Sequence, residues 1–371
     1  GGLRRGAPGL TRRQFGGAAA AAAGAAALPA LAQNLPSPAI IAEGGAAEDR
    51  IEDSRSAFDL AINQGCDFIQ VNLVPTQEGS LVARRDIELS TSTDVAARPD
   101  FAERKTTKTI DGQDLSGWFA EDFTVAELQT LTCREAQPEL RPQNVRYDGK
   151  EPILSLPEVL QLARDGCVRT GRTVGVCARL MHVGYFENQG LDVVGRLASE
   201  LSTEGYVAAA AAIWVQASEP EALRSFGKLS RVRRMLILEA GAEGAAQMTT
   251  SAGLADIRGY AEAIGADQDL LLDPAAATFP APTTLALDAH NAGLRVFSRT
   301  ARGENAFLPP ALRQGDRRAR TYPAQRGDVG KLLLALYSEG LDGVATDLPA
   351  DAGRARGAVL DALRRAQSKH G

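Results

Sequence analysis

The chain has 371 residues, 44% of them hydrophobic, with 41 Lys and Arg against 46 Asp and Glu for a formal net charge of −5. That length suits one α/β barrel carrying an export peptide and an insertion, and the acidic balance argues against a polyanion-binding surface, so nucleic acid is not an expected partner. Only three histidines occur, His182, His290 and His370, which by counting nearly excludes a His-rich metal site.

Residues 1–32 read as a leader rather than as fold. In "LTRRQFGGAAAAAAGAAALPALAQ" the pair Arg12-Arg13 and Phe15 precede an Ala/Gly-rich, mildly apolar stretch that ends in Ala30-Leu31-Ala32. Basic region, weak apolar region and A-x-A-type cleavage site make a signal peptide, and Thr-Arg-Arg-Gln-Phe resembles the twin-arginine export signal of bacteria. The stretch is too short and too weakly apolar to span a membrane stably. A periplasmic or secreted protein with no span after cleavage is therefore expected. Cys66, Cys133, Cys167 and Cys177 fit no zinc spacing. Cys66 and Cys177 sit in apolar contexts that read as core. One disulfide remains possible, with no pair specified.

From Gln33 onward, residues 33–371, apolar runs alternate with amphipathic ones. Strands are predicted over Ala39–Ala42, Asp67–Val74, Thr173–Ala178, Ile213–Ala217, Met235–Leu238, Leu270–Leu272, Leu294–Phe297 and Gly343–Thr346. Helices are predicted over Glu52–Gln64, Leu191–Thr203, Glu219–Phe226, Ile257–Ile264, Thr283–Ala292 and Val329–Glu339. Such alternation means a parallel sheet, and eight units predict a closed (β/α)8 TIM barrel, with an open doubly wound sheet as the alternative. A polar, turn-rich segment over about residues 86–147 breaks the rhythm and reads as an insertion over the barrel mouth. Its Trp118 and Phe119 are expected to anchor it.

Several segments, in order, carry a family resemblance: "GCDFIQVNLVPTQEGSLVARRD", "TKTIDGQDLSGWFAEDFTVAELQTL", "ELRPQNVRYDGKEPILSLPEVLQLAR", "FLPPALR" and "GLDGVATDLPAD". From about Pro38 to Asp351 the chain resembles the glycerophosphodiester phosphodiesterases, in particular their exported bacterial branch. The resemblance implies two histidines as acid and base, an Arg and a Lys gripping phosphate, and a calcium or magnesium ion held by a Glu-x-Asp pair and a later Glu.

Carried over residue by residue, those roles meet substitutions. Glu43 stands at the first His and Gly44 at the Arg. Gln70 and Asn72 stand at the metal pair, Arg85 at the second His, and Arg179 at the later Glu, with Met181 at the Lys. The strand-seven His-Pro-aromatic falls on Phe297-Ser298-Arg299. Gly45, Glu52, Asp86, His182 and Asp347 retain family residues, as do Thr300, Arg302, Glu304 and Asn305. Replacing three anionic ligands by two amides and a guanidinium removes most of the charge a hard cation needs, and Arg cannot cycle a proton near neutral pH. The expectations are therefore no divalent metal, no cofactor and a catalytically inactive barrel. Glu43, Arg85 and Arg179 are expected to meet at one rim, and Arg85, Arg179 and Arg302 to bind small phosphate-type anions weakly. Two alternatives stand beside this: an active phosphodiesterase with an unorthodox site, and a structural or interaction scaffold whose mouth is plugged by its own charges.

Overall fold

A computed structural model describes residues 37–369; the leader and His370 lie outside the described residues. The strands are β1 (Ala39–Glu43), β2 (Phe68–Pro75), β3 (Leu81–Ala83), β4 (Thr106–Ile110), β5 (Gln113–Gly117), β6 (Gly175–Leu180), β7 (Ile213–Ala217), β8 (Arg233–Leu238), β9 (Ala263–Asp267), β10 (Arg295–Ala301) and β11 (Gly343–Thr346). Eight of them, β1, β2 and β6 to β11, run parallel in that order, and the sheet closes where β1 pairs with both β2 and β11. This is a (β/α)8 barrel. Among the described residues no helix is long and apolar enough to cross a membrane.

Side chains alternate across each strand, so every second residue points into the barrel. One inner layer is filled by Ile41, Cys177, Trp214, Met235, Phe297 and Ala345, all buried together. Two residues further along the strands, the same alternation sets a ring at the C-terminal mouth: Glu43, Asn72, Arg179, Gln216, Ile237, Asp267, Arg299 and Asp347. At the opposite end, the floor, Asp67 Oδ2 accepts from Ile40 N at 2.8 Å and from Arg356 Nη1 at 2.6 Å.

Two predicted elements shift. The strand expected at Leu270–Leu272 is instead Ala263–Asp267, followed by a helical turn over Gln268–Leu271. The small residues win because a Cβ on Gly265 would lie 2.8 Å from Ile237 Cδ1 and 3.0 Å from Met235 Sδ. The helix expected over Ile257–Ile264 is Ser251–Arg258, started by Thr250, whose side chain accepts from Gly253 N. Several short helices and two long ones were not anticipated. Leu156–Thr170 carries a Ser155/Glu158 capping box and the left-handed Gly171 at its end; Pro349–Ser368 closes the chain.

The polar insertion packs on the mouth side. Its antiparallel hairpin β4–β5 turns at Asp111-Gly112, the expected chemistry for a two-residue turn. Trp118 and Phe119 are buried, and Trp118 Nε1 donates to Phe101 O at 2.7 Å. All four cysteines carry free thiols, and Cys66, Cys133 and Cys177 are buried.

Candidate functional site at the barrel mouth

The mouth is built from the ends of the strands. Directly after β1 the chain turns through Gly44 and Gly45, both at positive φ. A Cβ on Gly44 would sit 2.4 Å from Glu52 Cγ. Gly44 thus makes room for Glu52 to fold over the turn.

Glu43 is fully buried and ringed by guanidiniums. Its Oε1 lies 3.3 Å from Arg85 Nη2, 3.7 Å from Arg299 Nη2 and 3.9 Å from Arg179 Nη1, and Thr300 Oγ1 donates to its Oε2. Burial would raise its pKa, but Arg299, Arg85, Arg302 and Arg179 together outweigh burial and hold it well below the usual carboxylate range. Glu43 is therefore a fixed anion. Arg85 Nη2 also contacts Glu52 Oε1, so one guanidinium bridges two carboxylates. Burial pushes Glu52 the other way, to about 7 even against the charge of Arg85, with Asp53 and Asp347 adding repulsion. Two carboxylates on one guanidinium with oppositely displaced pKa values are suited to divided acid–base and electrostatic roles.

The expected residues distribute over two sub-sites. Arg179 and Arg299 meet Glu239 Oε1 at 3.0 and 3.4 Å, and Arg299 also reaches Asp267 at 3.4 Å. Burial, then Arg299, lowers the pKa of Arg179 to about 10. Across Glu43 lies a cleft of about 280 Å³ whose lining includes Glu52, Arg85, Asp86, Arg134, Arg302 and Asp347. Arg302 stacks on Phe307 at 4.6 Å and lies 3.4 Å from Asp347. Gln70 and Asn72 are buried on β2; Asn72 Nδ2 donates to Asp53 Oδ2 at 3.0 Å. His182 stands apart, with Nδ1 2.6 Å from Asp111 Oδ2 at the hairpin tip and its backbone at φ 52°.

Two functional features were not singled out from the sequence. Arg299 was seen only as a replacement, although counting two residues on from buried Phe297 points it inward. Arg141, at the end of the insertion, gave no local signal. It is buried and ties three barrel loops together: Nε donates to Glu304 Oε1 at 2.6 Å, Nη1 to Ala47 O at 2.8 Å, and Nη2 to Asp347 Oδ2.

Comparison with known proteins gives consistent matches. The model of the glycerophosphoryl diester phosphodiesterase family matches residues 44–350. A glycerophosphodiester phosphodiesterase of Arabidopsis thaliana is 29% identical over 289 residues, covering 72% of this chain and 75% of that protein. A glycerophosphodiester phosphodiesterase of Treponema pallidum is 25% identical over 206 residues, covering 53% of this chain and 54% of that one. Several longer Arabidopsis relatives are matched over only 31% to 39% of their own length. Among solved structures, a putative glycerophosphoryl diester phosphodiesterase from Silicibacter pomeroyi superposes with a TM-score of 0.62 at 14% identity, covering 87% of this chain and 95% of that one. An Oleispira antarctica phosphodiesterase in complex with the product sn-glycerol-3-phosphate gives a TM-score of 0.56 at 17% identity, covering 86% and 96%. At these identities the structural likenesses show the fold.

Two expectations are corrected by these findings. The inactive barrel is overturned: the family model spans the barrel and the relatives are named phosphodiesterases. Nothing in the rim positively shows inactivity, since Glu52, Glu43 and the arginines supply carboxylates and cationic grip there. The expectation of no cofactor is overturned likewise, because the family generally uses a divalent metal. The residues that the resemblance sets against such an ion, Gln70, Asn72 and Arg179, do not fit it by their chemistry. Arg179 places a guanidinium in the set, Asn72 offers one neutral oxygen, and among the described residues no group of three or more His, Cys, Asp or Glu is placed to hold a metal.

Proposed function

The chain belongs to the glycerophosphoryl diester phosphodiesterase family, and from that premise we propose that it hydrolyses glycerophosphodiesters with an acid–base group drawn from retained rather than substituted positions. The observation that carries the reading is Glu52, retained from the family pattern, lying against Arg85 on the wall of an arginine-lined cleft. The phosphodiester seats against Arg85, Arg134 and Arg302 through charge-assisted hydrogen bonds. Glu52 takes the proton of the attacking hydroxyl, which is water or the glycerol unit's own alcohol, as its oxygen bonds to phosphorus. It returns that proton to the alcohol oxygen whose bond to phosphorus breaks. Glu43 stays ionised and holds Arg85 and Thr300 in place.

The test is release of glycerol phosphate from glycerophosphocholine, measured with and without added calcium or magnesium. Glu52→Gln should lower kcat by at least about 100-fold, the lower end of what proton transfer contributes. An unchanged rate in that variant removes Glu52 from the chemistry. No turnover by the native chain under any cation removes the reading.

The same cleft is proposed to bind phosphate-type anions weakly and in a salt-sensitive manner, through Arg85 and Arg302, which line it, more than Arg179, which lies outside its lining against Glu239. Export is proposed on the leader alone. Fractionation with N-terminal sequencing checks it, and an intact leader on cytoplasmic protein defeats it.

A further inference from the structure

The floor of the barrel, opposite the cleft, carries two arginines, Arg233 and Arg295, that form no ion pair among the described residues. Arg233 stands two residues before inward-facing Met235 on β8, and Arg295 two before inward-facing Phe297 on β10, so each is on the same inward face. Their strands are linked through β9, where Met235 and Arg295 both register on Ala263. Arg233 lies over Trp214, its Cζ 4.1 Å from the ring centroid. Its Nε and Nη2 are buried and have no hydrogen-bond partner among the described residues.

The acids of the same rim are already engaged. Asp67 pairs with Arg356 at 2.6 Å, Glu262 with Arg234 at 2.8 Å and Asp342 with His290 at 2.8 Å. Among the described residues neither Arg233 nor Arg295 forms an ion pair, and the carboxylate that acts on Arg233, Glu262, is itself held by Arg234. A guanidinium withdrawn from water without a counter-ion is unfavourable. Burial and then the neighbouring charge of Arg295 lower its pKa to about 10. Stacking on an indole offsets part of this cost but supplies no negative charge.

We propose that the barrel floor binds a small oxyanion of the phosphate or sulfate class between Arg233 and Arg295, at a site separate from the cleft. Trigonal and tetrahedral oxyanions match the planar fork of a guanidinium, and an ammonium would not substitute equally. Because Arg233 covers Trp214, occupancy has its own optical signature in the indole beneath it.

The experiment is a titration of the full chain with inorganic phosphate against chloride at matched ionic strength, read by tryptophan fluorescence and by thermal shift. The chain has two tryptophans, so Trp118→Phe isolates Trp214; should that variant not fold, thermal shift on the otherwise native chain carries the test. The saturable Trp214 response should weaken by about tenfold or more in Arg233→Gln and Arg295→Gln, and stay within about twofold in Arg85→Ala, which removes only the cleft's share of the thermal shift. A saturable response that persists in both floor variants and disappears in Arg85→Ala belongs to the cleft and overturns the floor site. No difference between phosphate and chloride in the native chain overturns it as well. Neither outcome bears on turnover of glycerophosphodiesters, which the floor variants should leave unchanged.

Discussion

Arg141 offers the sharpest test of how the insertion is held to the barrel. Its side chain is 7% exposed and faces Glu304 at 4% and Asp347 at 2%. Replacing it by Met keeps most of the volume but leaves two carboxylates buried without their main counter-ion. Removing one partner of such a set costs about 3–5 kcal/mol. Arg302, 3.4 Å from Asp347, offsets part of that, so a loss of about 3 kcal/mol is expected. Because the unfolding entropy grows with length, each kcal/mol shifts a chain of this size by about 1.3 °C, so Tm should fall by roughly 4 °C. Urea and thermal unfolding at pH 7 measure it. Adding Glu304→Gln and Asp347→Asn to Arg141→Met should recover most of the loss, because the burden is the uncompensated charge and not missing packing. A single variant within about 0.5 kcal/mol of native, or a triple variant no more stable than the single, would refute the reasoning.

Gly45 has φ 87° and a Cβ there would lie 2.4 Å from the backbone carbon of Ala57; Gly45→Ala should cost about 2 kcal/mol or more, seen as a lower urea midpoint. Glu52 has a folded pKa raised to about 7 from an ordinary 4.5, so its contribution to stability is present in acid and is lost as pH rises through 7. Stability of the native chain relative to Glu52→Gln should therefore decline between about pH 4.5 and 7, and a flat difference would contradict the assignment. His182→Ala removes the contact to Asp111 and should lower hydrogen-exchange protection across β4–β5 while leaving the barrel strands unchanged.

Much of the barrel was legible because parallel strands buried on both faces read as short apolar runs. Ile213–Ala217 and Gly343–Thr346 occupy the predicted bounds. The run Leu270–Leu272 misled because hydrophobicity alone does not report that the inner wall needs a residue without a side chain opposite Ile237 and Met235. At the site, the likeness to a family placed Glu43, Arg85 and Arg179 at one rim, and they do converge. What it could not reveal is the compensation. Arg299 and Glu239 enter the cluster through strand register, and Arg141 reaches Asp347 across 206 positions of sequence. Reading loss of function from substituted positions failed for the same reason: neighbours in space, not in sequence, decide what a carboxylate such as Glu52 can do.

The mouth ring has a consequence for how this barrel can change. Its members, three carboxylates (Glu43, Asp267, Asp347), two guanidiniums (Arg179, Arg299), two amides and Ile237, each come from a different strand. Beneath them the inner layer is apolar and closed. The rim therefore behaves like a keyboard with one key per strand: a single replacement alters the local field by one charge while the packing below is untouched. A lineage can walk from one charge pattern to another in single steps, each intermediate folding, and the chemistry of the mouth can drift while the scaffold is conserved.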